Sequence, residues 1–196
     1  MPSKTEILNK ALTLIGAATI TSIDDDSNNA KILRKVYDIS LRSILGECKW
    51  NFATKRALLS VSADDLAWYD SGETIVYAKP ADIIRVFGTN TAGAKWREEG
   101  DYIISDSSEL GIRYVYFHDD PTKYPSLFID AFVDKLASDI AYMIVNSGSL
   151  GEAYLNKYEK ISLPKATAAN SQTGVQQTLS DDAWELAKYF DGQADA

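Results

Sequence analysis

Few residues in this chain are equipped for chemistry, and their spacing decides what each can do. His118 is the only histidine and Cys48 the only cysteine. A tetrahedral zinc site built from cysteine and histidine alone within one chain is therefore excluded, and so is an internal disulfide. A nucleophile at Ser149 would need the strained G-x-S-x-G turn that exposes its hydroxyl, but the position two before it is Ser147. His118, beside Asp119 and Asp120, reads as the structural end of a strand, and Cys48, close to Trp50, as a small buried hydrophobe. Asp24, Asp26 and Asn28 imitate the opening of a calcium-binding loop. Asn29 stands where that loop needs a glycine, however, and Lys35 where it needs a bidentate glutamate, so helix capping explains the acids better.

Adjacent carboxylates occur at Asp64-Asp65, Glu98-Glu99, Asp119-Asp120 and Asp181-Asp182. Glycoside hydrolysis needs two carboxyls facing each other across a cleft, which adjacency does not supply. In an acidic chain such pairs read as solvated turns and caps. Trp68, Tyr69 and Trp96 are rings of the kind that stack on sugars, so a polysaccharide or peptidoglycan hydrolase stays as the alternative function. Core or interface packing is the favoured reading of those rings. The sequence has neither G-x-x-x-x-G-K nor G-x-G-x-x-G to cradle a phosphate. No catalytic residue, metal or cofactor is assigned.

Whatever shape and surface the chain presents is built by its elements. The chain has 196 residues, 45% of them hydrophobic and 11% aromatic, enough to bury a core. Its net charge of −8 argues against a broad grip on nucleic acid phosphates. The opening MPSKTEILNKALTLIGA is amphipathic and lacks the apolar run of a signal peptide, and no stretch is long enough to span a membrane. The expectation is a protein made in the cytoplasm.

Helical periodicity predicts a first helix over about Lys4 to Ile15, with Ser3 and Glu6 as a capping box and Gly16 as its stop. A short connection makes it an antiparallel neighbour of the next helix, whose stripe is Leu33, Val36, Tyr37, Ser40, Leu41, Ile44 and Leu45, widened by Ile32 and Ile39. Asp24 to Ser27 are its cap candidates and Gly46 its stop. Lys31, Arg34, Lys35 and Arg42 fall on the outer side and form a candidate interface. Beyond, Trp50 and Phe52 form a structural corner that pins the helix end against the sheet.

Residues 51–120 alternate in a β pattern, with strands expected at Ala57–Val61, Ala67–Tyr69, Thr74–Tyr77, Ile83–Phe87, Tyr102–Ile104 and Ile112–Phe117. After Pro125 a wide, alanine-rich helical stripe runs from Leu127 to Ile144. A further helix follows over about Leu150 to Ala169, which Pro164 should end or kink. Residues 170–196 read as a polar linker and a short amphipathic tail carrying Trp184, Tyr189 and Phe190, which docks either on its own body or on another chain. The expected architecture is α+β. A helical bundle of residues 1–50 and 121–169 carries an inserted antiparallel sandwich-like or barrel-like block at 51–120.

One resemblance covers about Thr5 to Tyr158. The opening Ala11-Leu12-Thr13-Leu14-Ile15-Gly16 with Ile20 and Asp24 comes first, then Asn29-Ala30 and the corner Trp50-Asn51-Phe52-Ala53-Thr54-Lys55-Arg56. Next are Tyr77-Ala78-Lys79-Pro80-Ala81-Asp82 with Ile84-Arg85-Val86, then Glu99-Gly100, Tyr102-Ile103, Ile112-Arg113-Tyr114 and Pro125. In this order they resemble the tail tubular protein A family of short-tailed bacteriophages, the head-to-tail adaptors or gatekeepers. The resemblance implies a non-enzymatic virion component of the tail or neck, active in virion assembly and DNA ejection. It implies a homo-oligomeric ring, typically a dodecamer, joining the portal protein to the tail nozzle (tail tubular protein B-like). Genomic DNA would pass through the channel without sequence-specific binding.

Overall fold

The structure is a computed structural model that describes residues 2–173 apart from Asp65, Ser71 and Ala92. Helix α1 (Lys4–Leu14) begins as its sequence dictates. Ser3 Oγ accepts from the Glu6 amide at 3.2 Å, and the Glu6 carboxylate accepts from the Ser3 amide at 2.6 Å. It ends where Gly16, at φ +71°, takes the left-handed turn that a side chain would oppose. The expected pairing with the next helix is not its main contact. α1 lies chiefly on α3 instead, with Lys10 reaching Asp130 at 2.6 Å.

Helix α2 (Asn28–Glu47) is capped by Ser27 alone among the four candidates, its hydroxyl accepting from the Ala30 amide. The Asp25 carboxylate instead gathers Thr21 and Ser22 of the preceding turn. Two expectations are corrected here. Gly46 does not stop the helix, which runs to Glu47, because docking of Trp50 against Ile44 sets the end. Ile39 does not widen the buried stripe and is 70% exposed, since the apolar arc closes at Tyr37, Ser40 and Leu41.

The predicted corner leads through a 3-10 turn (Asn51–Ala53) into β1 (Thr54–Leu58), which starts and ends earlier than its apolar run suggested. Then come β2 (Ile75–Ala78), β3 (Ile83–Thr89), β4 (Trp96–Glu99), β5 (Tyr102–Ser105) and β6 (Gly111–Tyr116). They form two antiparallel sheets of order β1-β6-β3 and β2-β5-β4. Ala67–Tyr69 is not a strand. The unforeseen β4 is an edge strand of sequence WREE, held through its backbone to β5 and by ion pairs of Glu98 with Lys79 and of Arg97 with Asp70 and Glu73. Both sheets contribute to one small core of Leu59, Tyr77, Val86, Ile103, Leu110, Ile112 and Tyr114.

Helix α3 (Ser126–Val145) is the centre of the larger core, with Phe128, Ala131, Phe132, Leu136, Ala137, Ile140 and Ala141 buried. Asn146 at φ 53° ends it. α4 (Gly148–Lys157) approaches closely because Gly151 has no side chain: a Cβ there would sit 3.2 Å from the Ser138 carbonyl oxygen. Pro164 lacks the amide that would continue the ladder, and the chain answers with one π turn (Tyr158–Ser162) before α5 (Leu163–Gln172). Asp134, 3% exposed on α3, takes Ser162 of that turn and Lys157. The molecule is thus mixed α+β, with helices from both ends of the described chain packed together and the strands between them.

Candidate functional site

The residues with the densest specific contacts lie where helices and sheet meet. The Trp50 indole N–H donates to the Ile44 carbonyl oxygen at 2.8 Å, and Thr54 Oγ1 donates to the Trp50 carbonyl at 2.7 Å, so the chain turns tightly around a buried ring. The Trp50 and Phe128 rings meet edge to face at 4.9 Å, and Phe52 meets Phe128 at 4.7 Å and Tyr124 at 5.5 Å. Such aromatic pairs add about 0.5–1.5 kcal/mol each beyond the area they bury. Phe52 also lies 6.0 Å from His118, just past the end of β6. The corner therefore pins α2 first to the start of α3, and to the sheet through the exit of β6.

His118 completes this joint. Its Nδ1 is 2.7 Å from Tyr116 Oη, and its carbonyl accepts from Tyr124 Oη at 2.7 Å. Its Nε2 is buried with no partner among the described residues. Burial holds the imidazole below its ordinary range, partly opposed by Asp120 and Asp119. That arrangement favours the neutral ring, and the residue is held between the Tyr116 and Tyr124 hydroxyls.

Beside the joint runs an apolar cleft of about 410 Å³, walled by Trp50, Phe52, Pro125, Leu127, Ala166 and Ala169. Asn51, Asn170 and Thr173 also line it and are tied together by hydrogen bonds. Asn51 donates from its backbone to Asn170 Oδ1 and from its side chain to the Asn170 carbonyl, both at 2.8 Å. Asn170 Nδ2 donates to the Lys49 carbonyl at 2.8 Å, and Thr173 Oγ1 accepts from Asn51 at 2.6 Å. Sequence reasoning placed Asn170 in a linker. It is the last turn of α5, and no local pattern announces a partner 119 residues away.

The four cations expected on the outer side of α2 are all exposed, and they differ in their partners. Lys31 pairs with Asp26 at 2.6 Å, and the Arg42 guanidinium lies 4.2 Å from the Phe117 ring. Arg34 and Lys35 are exposed and make no ion pair among the described residues. Trp184, Tyr189 and Phe190 lie outside the described residues, as do Asp181 and Asp182. The other carboxylate doublets have local partners: Lys79 for Glu98, Arg97 for Glu99, Lys4 for Asp119, and the Thr122 hydroxyl and amide for Asp120. Asp64 accepts from Tyr102 Oη at 2.8 Å. Trp68 is 69% exposed, whereas Trp96 packs against the smaller core.

Among the described residues no three His, Cys, Asp or Glu side chains gather to hold a metal, and no helix is long and apolar enough to cross a membrane. No protein-family model matches the chain, and no curated protein matches it.

Proposed function

We propose that this chain is a structural virion protein, a head-to-tail adaptor that forms a ring between a phage portal and its tail nozzle around the DNA channel. The observation that supports this reading most is the aromatic joint. It joins a helical body and a β block, each with its own core, through the rings of Phe52, Phe128, Tyr124 and His118. The joined pair offers two differently built faces to two partners. The resemblance to tail tubular protein A supplies those partners and the ring, with the twelve copies typical of that family. An acidic chain suits a lumen past which DNA must slide without being held. Synthesis in the host cytoplasm and residence in the virion neck follow from the same reading.

Sedimentation of the purified chain with portal rings from the genome that encodes it tests this function. The expected result is co-sedimentation with the rings and no release of reducing ends from peptidoglycan or capsule polysaccharide. A chain that stays apart from the portal, or one that cleaves either polymer, contradicts it.

A further inference from the structure

On the helix-facing side of the β1-β6-β3 sheet, an acidic chain assembles a basic surface. Arg56 and Arg113 stand directly opposite each other across β1 and β6. Like charges so placed repel. Arg85, opposite Val115 on β3, shares their face, because Arg113 and Val115 are two apart on β6. Lys49 joins them from the corner: its Nζ lies 5.3 Å from the Phe87 ring, and the Arg113 guanidinium lies 5.9 Å from the same ring. All four cations are exposed, and none makes an ion pair among the described residues. Leu58, two residues beyond Arg56 on β1, adds an apolar side chain that is 64% exposed.

The described chain ends beside this surface. Asn170 holds the Lys49 carbonyl, and Thr173 holds Asn51. The 23 residues that follow carry Asp181, Asp182, Glu185, Asp191 and Asp195 against a single Lys188, together with Trp184, Tyr189 and Phe190. From Thr173 to Asp181 is eight residues, which extend to at most about 28 Å and span roughly 16 Å as a flexible coil. Both lengths suit the distance from Asn51 to the far side of a three-stranded sheet, whose strands lie about 4.8 Å apart.

We propose that the acidic aromatic segment Asp181–Phe190 of this chain docks in cis on the surface formed by Lys49, Arg56, Arg85 and Arg113. The carboxylates of the segment relieve the Arg56/Arg113 repulsion, and its rings cover Leu58 and Phe87. A short tether holds the segment at high local concentration, so weak exposed ion pairs suffice. Bound there, the tail is withheld from other chains until a competing surface displaces it. This inference concerns the free chain and holds whether or not a ring forms.

Carbodiimide treatment of the full-length chain at sub-micromolar concentration tests it, because Lys49 is the only amine in the patch and zero-length linkage requires contact. The expected product is an intramolecular link from Lys49 to Asp181, Asp182 or Glu185, at the mass of one chain. In Arg56→Glu/Arg113→Glu its yield falls by roughly five- to tenfold, the effect of losing two or three exposed ion pairs. Asp181→Lys/Asp182→Lys leaves the body untouched and lowers the Lys49–Glu185 link similarly. Combining both sets restores a link between positions 56 or 113 and 181 or 182. No link in the wild type, links only between chains, or a yield indifferent to these changes overturns the proposal. So does tight low-salt binding of a short DNA duplex by the wild-type chain, which would make the patch an open phosphate-binding face.

Discussion

The Trp50 indole donates to the carbonyl oxygen of Ile44, six residues earlier, and by that single bond the end of α2 is folded back on itself. The ring so fixed is then enclosed by Phe52 and Phe128. Three elements become one body here: the exit of α2, the start of α3 and, through Phe52 and Tyr124, the exit of β6.

Replacing this ring should therefore separate the hydrogen bond from the packing. Trp50→Phe keeps a ring but leaves the buried Ile44 carbonyl without its donor, at a cost of about 1–3 kcal/mol. Trp50→Ala also empties the site and should cost about 3–5 kcal/mol. Urea unfolding midpoints read both: a Trp50→Phe variant as stable as the wild type would show that the bond contributes nothing, and equal losses in the two variants would show the same of the packing.

A second expectation concerns pH. His118 is neutral by preference in the fold, since burial lowers its pKa from 6.5. The unfolded chain thus takes up the proton first on acidification. Stability is complete above pH 6.5, falls as pH drops through that value, and levels off below the folded pKa. Asp25 and Asp120, held low by hydrogen bonds to Thr21 and Thr122, titrate below the usual carboxylate range and stay clear of this window. His118→Gln should flatten the slope of urea midpoint against pH between about 7.5 and 5.5. A slope unchanged by the substitution would place the linkage elsewhere.

The opening and the periodicity of the helical body are legible in the sequence because they rest on local rules. Ser3 with Glu6 is a cap by spacing, and the stripe from Leu33 to Leu45 is a face by period. The failures share a physical origin in contacts between distant residues. Gly46 looks like a stop until Trp50 closes over Ile44. β4 looks like a charged turn because its strand character resides in backbone bonds to β5 and in ion pairs. Asn170 looks like linker until Asn51 is brought beside it. The corner residues Trp50 and Phe52 stand out in the sequence as large aromatics, but their partners Tyr124, Phe128 and His118 do not.

The π turn gives a third prediction. Ser162 and Lys157 are the side chains that satisfy the buried Asp134 carboxylate. Ser162→Ala removes a donor from a buried charge and should cost about 1–3 kcal/mol. Hydrogen exchange should then rise first in the π turn and α5. Uniform acceleration over the whole body would argue against a local lock.

Charge reversal on α2 should divide its four cations. Arg34→Glu/Lys35→Glu alters exposed side chains that make no ion pair among the described residues and should change stability by no more than about 0.5 kcal/mol, while weakening attachment to the portal. Arg42→Glu gives up its place on the Phe117 ring, worth about 0.5–1 kcal/mol. Portal attachment unaffected by the first pair removes this face from the proposed interface.

Electron cryo-microscopy of the chain mixed with portal rings from the same genome tests the central claim most directly. The adaptor account predicts a closed ring of this chain seated on the portal, coaxial with its channel, with the helical body and the β block in one fixed relation in every copy. Portal rings left bare, or single chains bound without closing a ring, would contradict it.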